Sequence, residues 1–153
     1  MIMMSNDLPW FTEQCGQSEI EVLSDGSLYY KNRWYDIDTG ESSDMDRAIT
    51  CSIYRPADCR IALFWEAYWS GTIQIISTDY TSYAIEYSYA EAANIDYMQA
   101  VWVYSRDPLV EGTTEFDTFY ATIEAEMADK LPKFKMRHLS VVEQDTINCV
   151  YSL

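Results

Sequence analysis

The feature that most limits what this chain can fold into is a change of hydrophobic period near residue 114. Upstream, short runs of alternating polar and apolar residues are separated by tight polar turns, the pattern of an antiparallel sandwich or barrel. Residues 17–23 alternate, and Ser24-Asp25-Gly26-Ser27 then turns the chain into residues 28–37, a hairpin with a D-G signal. Residues 38–44 form a polar loop, residues 45–54 read as a strand, residues 55–58 as a turn, and residues 59–65 as the returning strand. Gly71 precedes residues 72–78, residues 79–82 turn, residues 83–89 run back, and residues 94–105 form a further strand stopped by Arg106-Asp107-Pro108. Downstream, Phe116, Phe119, Tyr120, Ile123, Met127 and Leu131 recur at helical spacing, which predicts a helix over 114–131 with one apolar stripe. Thr114 and Asp117 suit a capping box, and Pro132 stops the helix. A short strand over 135–142 follows. No linker or internal repeat interrupts the pattern, so residues 1–153 read as one all-β domain with a single late helix.

Charge and composition narrow the function classes. A net charge of −15 argues against nucleic acid, since displacing the counterions of a phosphate backbone needs a basic surface, and against an anionic membrane surface. The plainest meaning of that charge is solubility. Aromatic residues reach 15%, with 13 Tyr and 5 Trp, side chains that combine an apolar body with one polar handle. There is no transmembrane stretch: residues 1–4 are apolar, but Ser5-Asn6-Asp7 ends the run too early for a signal peptide or a spanning helix. No nucleophile elbow, phosphate loop, dinucleotide fingerprint or zinc-protease motif occurs. His138 is the sole histidine and reads as a surface or strand residue rather than a triad member. Glu124 and Glu126, two apart on the helix, read as a solvated face. Cys15, Cys51, Cys59 and Cys149 lack zinc-site spacing, so they are either two disulfides of an oxidising compartment or four buried thiols, and no metal site is expected.

Three stretches resemble the lipocalin family. Thr78-Asp79-Tyr80 followed by Tyr83-Ala84-Ile85-Glu86-Tyr87-Ser88 is similar to its second signature. Val103-Tyr104-Ser105-Arg106-Asp107-Pro108 is similar to its third, with Arg106 as the arginine closing the barrel's bottom, as in retinol-binding proteins. Asp145-Thr146-Ile147-Asn148-Cys149 resembles the C-terminal cysteine segment of apolipoprotein D. The resemblance implies an eight-stranded antiparallel up-and-down barrel with one helix packed outside. The first signature, G-x-W, is missing, and residues 1–5 resemble the strand just after it, with residues 6–14 as a loop over the barrel mouth. Met1 then reads as internal to a longer chain that carries G-x-W and a signal peptide; the rival is a divergent lipocalin without the motif. The family bond from the start of the second strand to the C-terminal tail implies Cys15–Cys149, and Cys51–Cys59 would join neighbouring strands across the intervening turn.

Taking Arg106 as inward sets the alternation of the strands. Tyr104, Trp102, Ala100 and Met98 then face the lumen, as do Ala84, Glu86 and Ser88, Gln74 and Ile76, Ala62 and Phe64, Ile20 and Val22, and Leu28 and Tyr30. Val101 and Val103 face out, where the helix stripe would cover them. The expected ligand contacts are Trp102, Tyr104, Met98, Glu86, Phe64, Ile76 and Tyr30, with Trp10 and Phe11 as a lid. A carboxylate at Glu86 inside an apolar cup should be neutral, water-linked, or bonded to a tyrosine or to a ligand hydroxyl or keto group; solvation through a local slip of parity is the alternative. The implied function is binding and transport of a non-covalently held apolar molecule such as a retinoid, sterol or carotenoid, without catalysis, by a secreted protein. The alternative is a barrel serving as a structural subunit. An outward apolar patch of Ile61, Leu63, Trp65, Ile73, Ile75, Ile85 and Tyr87 suggests homo- or hetero-oligomers, as in the carotenoid-binding crustacyanin branch of the family.

Overall fold

The computed structural model describes residues 3–5, 14–24, 27–36, 39–55, 58–62, 69–92, 95–144 and 149. Nine strands occur among them: β1 (Met3–Ser5), β2 (Gln14–Val22), β3 (Leu28–Asp36), β4 (Glu41–Cys51), β5 (Asp58–Ala62), β6 (Trp69–Thr78), β7 (Tyr83–Ala92), β8 (Ile95–Ser105) and β9 (Leu139–Val141). All pairings are antiparallel, in the order β2-β3-β4-β5-β6-β7-β8-β1-β9. Strands β2 to β8 thus form an unbroken meander, as expected for an up-and-down barrel, with β1 and the three-residue β9 added at its far edge.

The helix α1 (Thr114–Lys130) ends one residue before the expected position. Its cap lies one residue earlier than the sequence suggested: the Thr113 hydroxyl accepts from the Phe116 backbone N–H at 3.3 Å. Phe116, Ile123 and Met127 are the buried stripe, packed against Ile85 of β7, Val101 and Val103 of β8, and Met3 of β1. Covering the sheet this way stabilises it by about 1.5–3 kcal/mol for each large apolar side chain removed from water. Glu126 is not merely solvated: it accepts from the Ser77 hydroxyl at 2.5 Å and pins the helix to β6. The expected strand over 135–142 is split into a single 3-10 turn, Met136–His138, and β9.

Both disulfides expected from the sequence are present, Cys15–Cys149 and Cys51–Cys59. The second joins cross-strand partners of β4 and β5. The first ties β2 to the tail beyond β9, the two edges of the described ladder, and the Cys15 backbone N–H donates to the Glu143 carbonyl at 2.7 Å beside it. Cys15 has φ 56°, a left-handed conformation rare for a residue with a side chain, inside the irregularity between Gln14 and Gln17.

Candidate ligand-binding site

The two faces of β7 and β8 do different work. Register pairs Ala84 with Tyr104, Glu86 with Trp102 and Ser88 with Ala100 on one face; Ile85 with Val103 and Tyr87 with Val101 lie on the other, beneath α1. The first face is concave. The hydroxyls of Tyr30, on β3, and Tyr104, on β8, lie 2.5 Å apart. These strands are five places apart in the ladder, about 24 Å in a flat sheet, so the sheet must curl until they meet across its interior.

Two chains of hydrogen bonds converge on Glu86 inside this cup. The Trp102 indole N–H donates to the Ser88 hydroxyl at 3.2 Å, and Ser88 donates to Glu86 Oε1 at 2.9 Å. The Tyr104 hydroxyl donates to Glu86 Oε2 at 3.3 Å, and the Tyr30 hydroxyl, 2.5 Å from that of Tyr104, joins the same network. Glu86 is 4% exposed. Burial raises its carboxyl from an ordinary 4.5 to about 7, although the hydrogen bonds from Ser88, Tyr104 and Tyr30 pull it down. Burial and the nearby Glu86 push the hydroxyls of Tyr30 and Tyr104 well above the ordinary tyrosine range. Around this network the cup is apolar: Tyr30, Ile49, Cys59 and Ile73 form a buried cluster, with Leu28 and Cys51 packed on it. On β2, Ile20 and Val22 sit opposite Tyr30 and Leu28 but are exposed.

The 78–83 turn is bonded within itself. Asp79 accepts from the backbone N–H groups of Thr81, Ser82 and Tyr83 and from the Ser82 hydroxyl, which holds its carboxyl far below the usual range. Thr78 accepts from the Tyr80 N–H at 3.0 Å and donates to the Tyr83 carbonyl at 2.6 Å. Tyr80 itself has φ 65°. Arg106 does not face the lumen: it is exposed, and its guanidinium donates to the Tyr80 carbonyl at 3.3 Å. The four residues of the family-like motif, Thr78, Asp79, Tyr80 and Arg106, therefore meet as one knot at a hairpin end.

Of the expected ligand contacts, Trp102, Tyr104, Glu86 and Tyr30 come together. Met98 stands opposite Ala90 in the register of β8 and β7. Trp10, Phe11 and Phe64 lie outside the described residues, as do Leu63 and Trp65 of the expected patch. Ile76 is a correction: it packs against the helix-side core, not in the cup. A bulge between Ile75 and Ser77 is the cause. Thr78 pairs with Ala84 on the cup face, and strict alternation back from it would turn Ile76 and Gln74 inward; the extra residue instead sets Ile75 opposite Glu86 and Ile73 opposite Ser88. The shift carries into β5, where Cys59 pairs with Ile73, and Ile61 pairs with Gly71 and Ile49. Ala62, expected inward, stands opposite Ser70, one step out of phase with that face. The expected outward patch is corrected with it: Ile73 is buried in the cup cluster, Ile61 and Ile75 are registered to the cup face, and Ile85 is covered by α1. Ile73 and Ile75 are thus the cup positions that alternation alone missed; the Cys51–Cys59 pair, which sets Cys59 on the face of Ile73, is the signal that would have found them.

Among the described residues no group of three or more His, Cys, Asp or Glu side chains is placed to hold a metal. Neither a protein-family model nor a curated protein matches the sequence. Solved structures do match. Lobster apocrustacyanin A1 superposes with a TM-score of 0.69 at 17% identity, over 95% of this chain and 75% of that one. The siderocalin Ex-FABP, described as functioning through dual ligand specificities, gives 0.66 at 14% identity over 95% and 91%. Per a 4, a major cockroach allergen, gives 0.67 at 15% identity over 95% and 83%.

Proposed function

We propose, from the lipocalin fold that this chain shares with those structures, that it binds an apolar small molecule of the size of a retinoid, sterol or carotenoid in its cup. The observation that carries the reading is the cup itself: an apolar concave face with one compact set of converging polar groups at Glu86, Tyr104, Tyr30, Ser88 and Trp102. Sparse, oriented polar groups on an apolar wall are the usual make-up of a small-molecule site. The siderocalin neighbour's dual ligand specificities are consistent with such a use of the fold. Among the described residues no set has the geometry of a nucleophile with its base, and we read the protein as a binder, not an enzyme. Its two disulfides support residence in an oxidising compartment.

The test is quenching of tryptophan fluorescence on titration with retinol, an oxygenated carotenoid and a fatty acid, in the wild type and in Trp102→Ala. Trp102 offers the largest apolar face beside the polar network, so its truncation is expected to cost on the order of 2–4 kcal/mol of affinity. Binding of none of the three more tightly than about 10 μM, roughly 7 kcal/mol, with no difference in the variant, would refute the transport reading. It would leave the barrel as a structural subunit whose cup is filled by its own side chains.

A further inference from the structure

We propose that the Glu86 end of the cup receives a protonated amine, so that the ligand is an apolar body with an ammonium head. The inference rests on the cup being a ligand site and goes beyond that reading by naming the ligand's polar group.

The direction of the hydrogen bonds is the first ground. The hydrogens of Trp102 Nε1, Ser88 Oγ, Tyr30 Oη and Tyr104 Oη all run toward the carboxylate, through one neighbour or directly. These hydrogens are used inside the network, which leaves lone pairs, on Glu86 above all, as what it presents to a guest. While Glu86 is ionised, above its raised carboxyl value of about 7, a guest must therefore bring a donor. A ketone has none, and a fatty-acid carboxylate would add a second negative charge beside the first.

Charge decides between the remaining donors, an alcohol and an ammonium. Among the described residues the groups acting on Glu86 are Ser88 of β7, Tyr104 of β8 and Tyr30 of β3, all neutral. A carboxylate 4% exposed among neutral partners is stabilised far more by a cation than by one further hydroxyl. Trp102 and the two tyrosines supply the aromatic groups that attract an ammonium. The −15 charge of the whole chain enriches cations around it. Arg47 is registered opposite Tyr30 on β4, so the experiment includes a variant that lacks its charge.

Decylamine, decanol and decanoic acid share one apolar chain and differ in the head, so their affinities isolate it. Each is titrated below its micelle concentration into the wild type, Glu86→Gln and Arg47→Met. At about pH 8 decylamine is expected to bind the wild type at least tenfold more tightly than decanol, and to lose that margin in Glu86→Gln, which keeps the side-chain volume. Because the Glu86 carboxyl is raised to about 7 by burial, amine binding should release about one proton at pH 6 and almost none at pH 8.5, read by calorimetry in two buffers. Equal affinity for the three heads, or tighter binding of the acid, overturns the proposal. So does an amine margin that survives in Glu86→Gln, since attraction to the acidic surface then explains it. A margin that emerges only in Arg47→Met also overturns it, because the native cup is then already neutralised. If one head group binds as well as another, the ligand-binding reading stands and this inference alone falls; if none binds, both fall.

Discussion

At Glu86 burial sets a cost on folding. Its carboxyl is raised from 4.5 to about 7 in the folded protein. Below the lower value the side chain is neutral in both states. As pH rises through this window the unfolded chain ionises while the folded one does not, so stability falls until the folded carboxyl also ionises. The fall is roughly 3 kcal/mol at one pH unit per 1.36 kcal/mol. Glu86→Gln should flatten that part of the profile, measured as urea midpoints at steps from about pH 4 to pH 8; an unchanged slope would place the effect elsewhere. The cup residues Glu86, Trp102, Tyr104 and Tyr30 were legible because each lies on a strand whose alternation runs unbroken through it. What alternation could not show is that two hydrogen-bonded chains end on one carboxylate, since Tyr30 and Tyr104 meet only when the sheet curls.

Among the elements, α1 was the most legible: six apolar residues at one period leave little freedom, and its ends fell within a residue of expectation. Strand β6 was the least. Its bulge at Ile76 adds a residue without any glycine or proline to mark it, and every side chain before it changes face relative to strict alternation. The helix contributes by covering Ile85, Val101 and Val103, and Ile123, with 0% exposure, lies within that contact. Ile123→Ala should therefore cost about 2–5 kcal/mol by chemical denaturation. Ligand affinity per folded molecule should stay unchanged, because the cup lies on the other face of the sheet; a parallel loss of affinity would show that the two faces are not independent.

On the scale of the whole molecule, the two disulfides close loops of very different size, 134 and 8 residues of sequence separation. The chain-entropy relation gives about 5 kcal/mol for the first and about 2.5 for the second. Replacing Cys15 and Cys149 by Ser should lower the denaturation midpoint about twice as far as replacing Cys51 and Cys59; equal losses would mean that the unfolded chain already holds its ends together. A last consequence lies in the partition that the curled sheet makes. Along β7 and β8, odd-numbered positions such as Ile85, Val101 and Val103 hold the helix, while even-numbered ones such as Glu86, Ser88, Trp102 and Tyr104 meet the cup. If the cup is the ligand site proposed above, fold and recognition are written on alternate letters of the same words. On that reading a lineage can rewrite the even letters to suit a new guest without touching the odd ones that keep the vessel intact, and neighbours that share the fold at 14–17% identity are what such a division of labour permits.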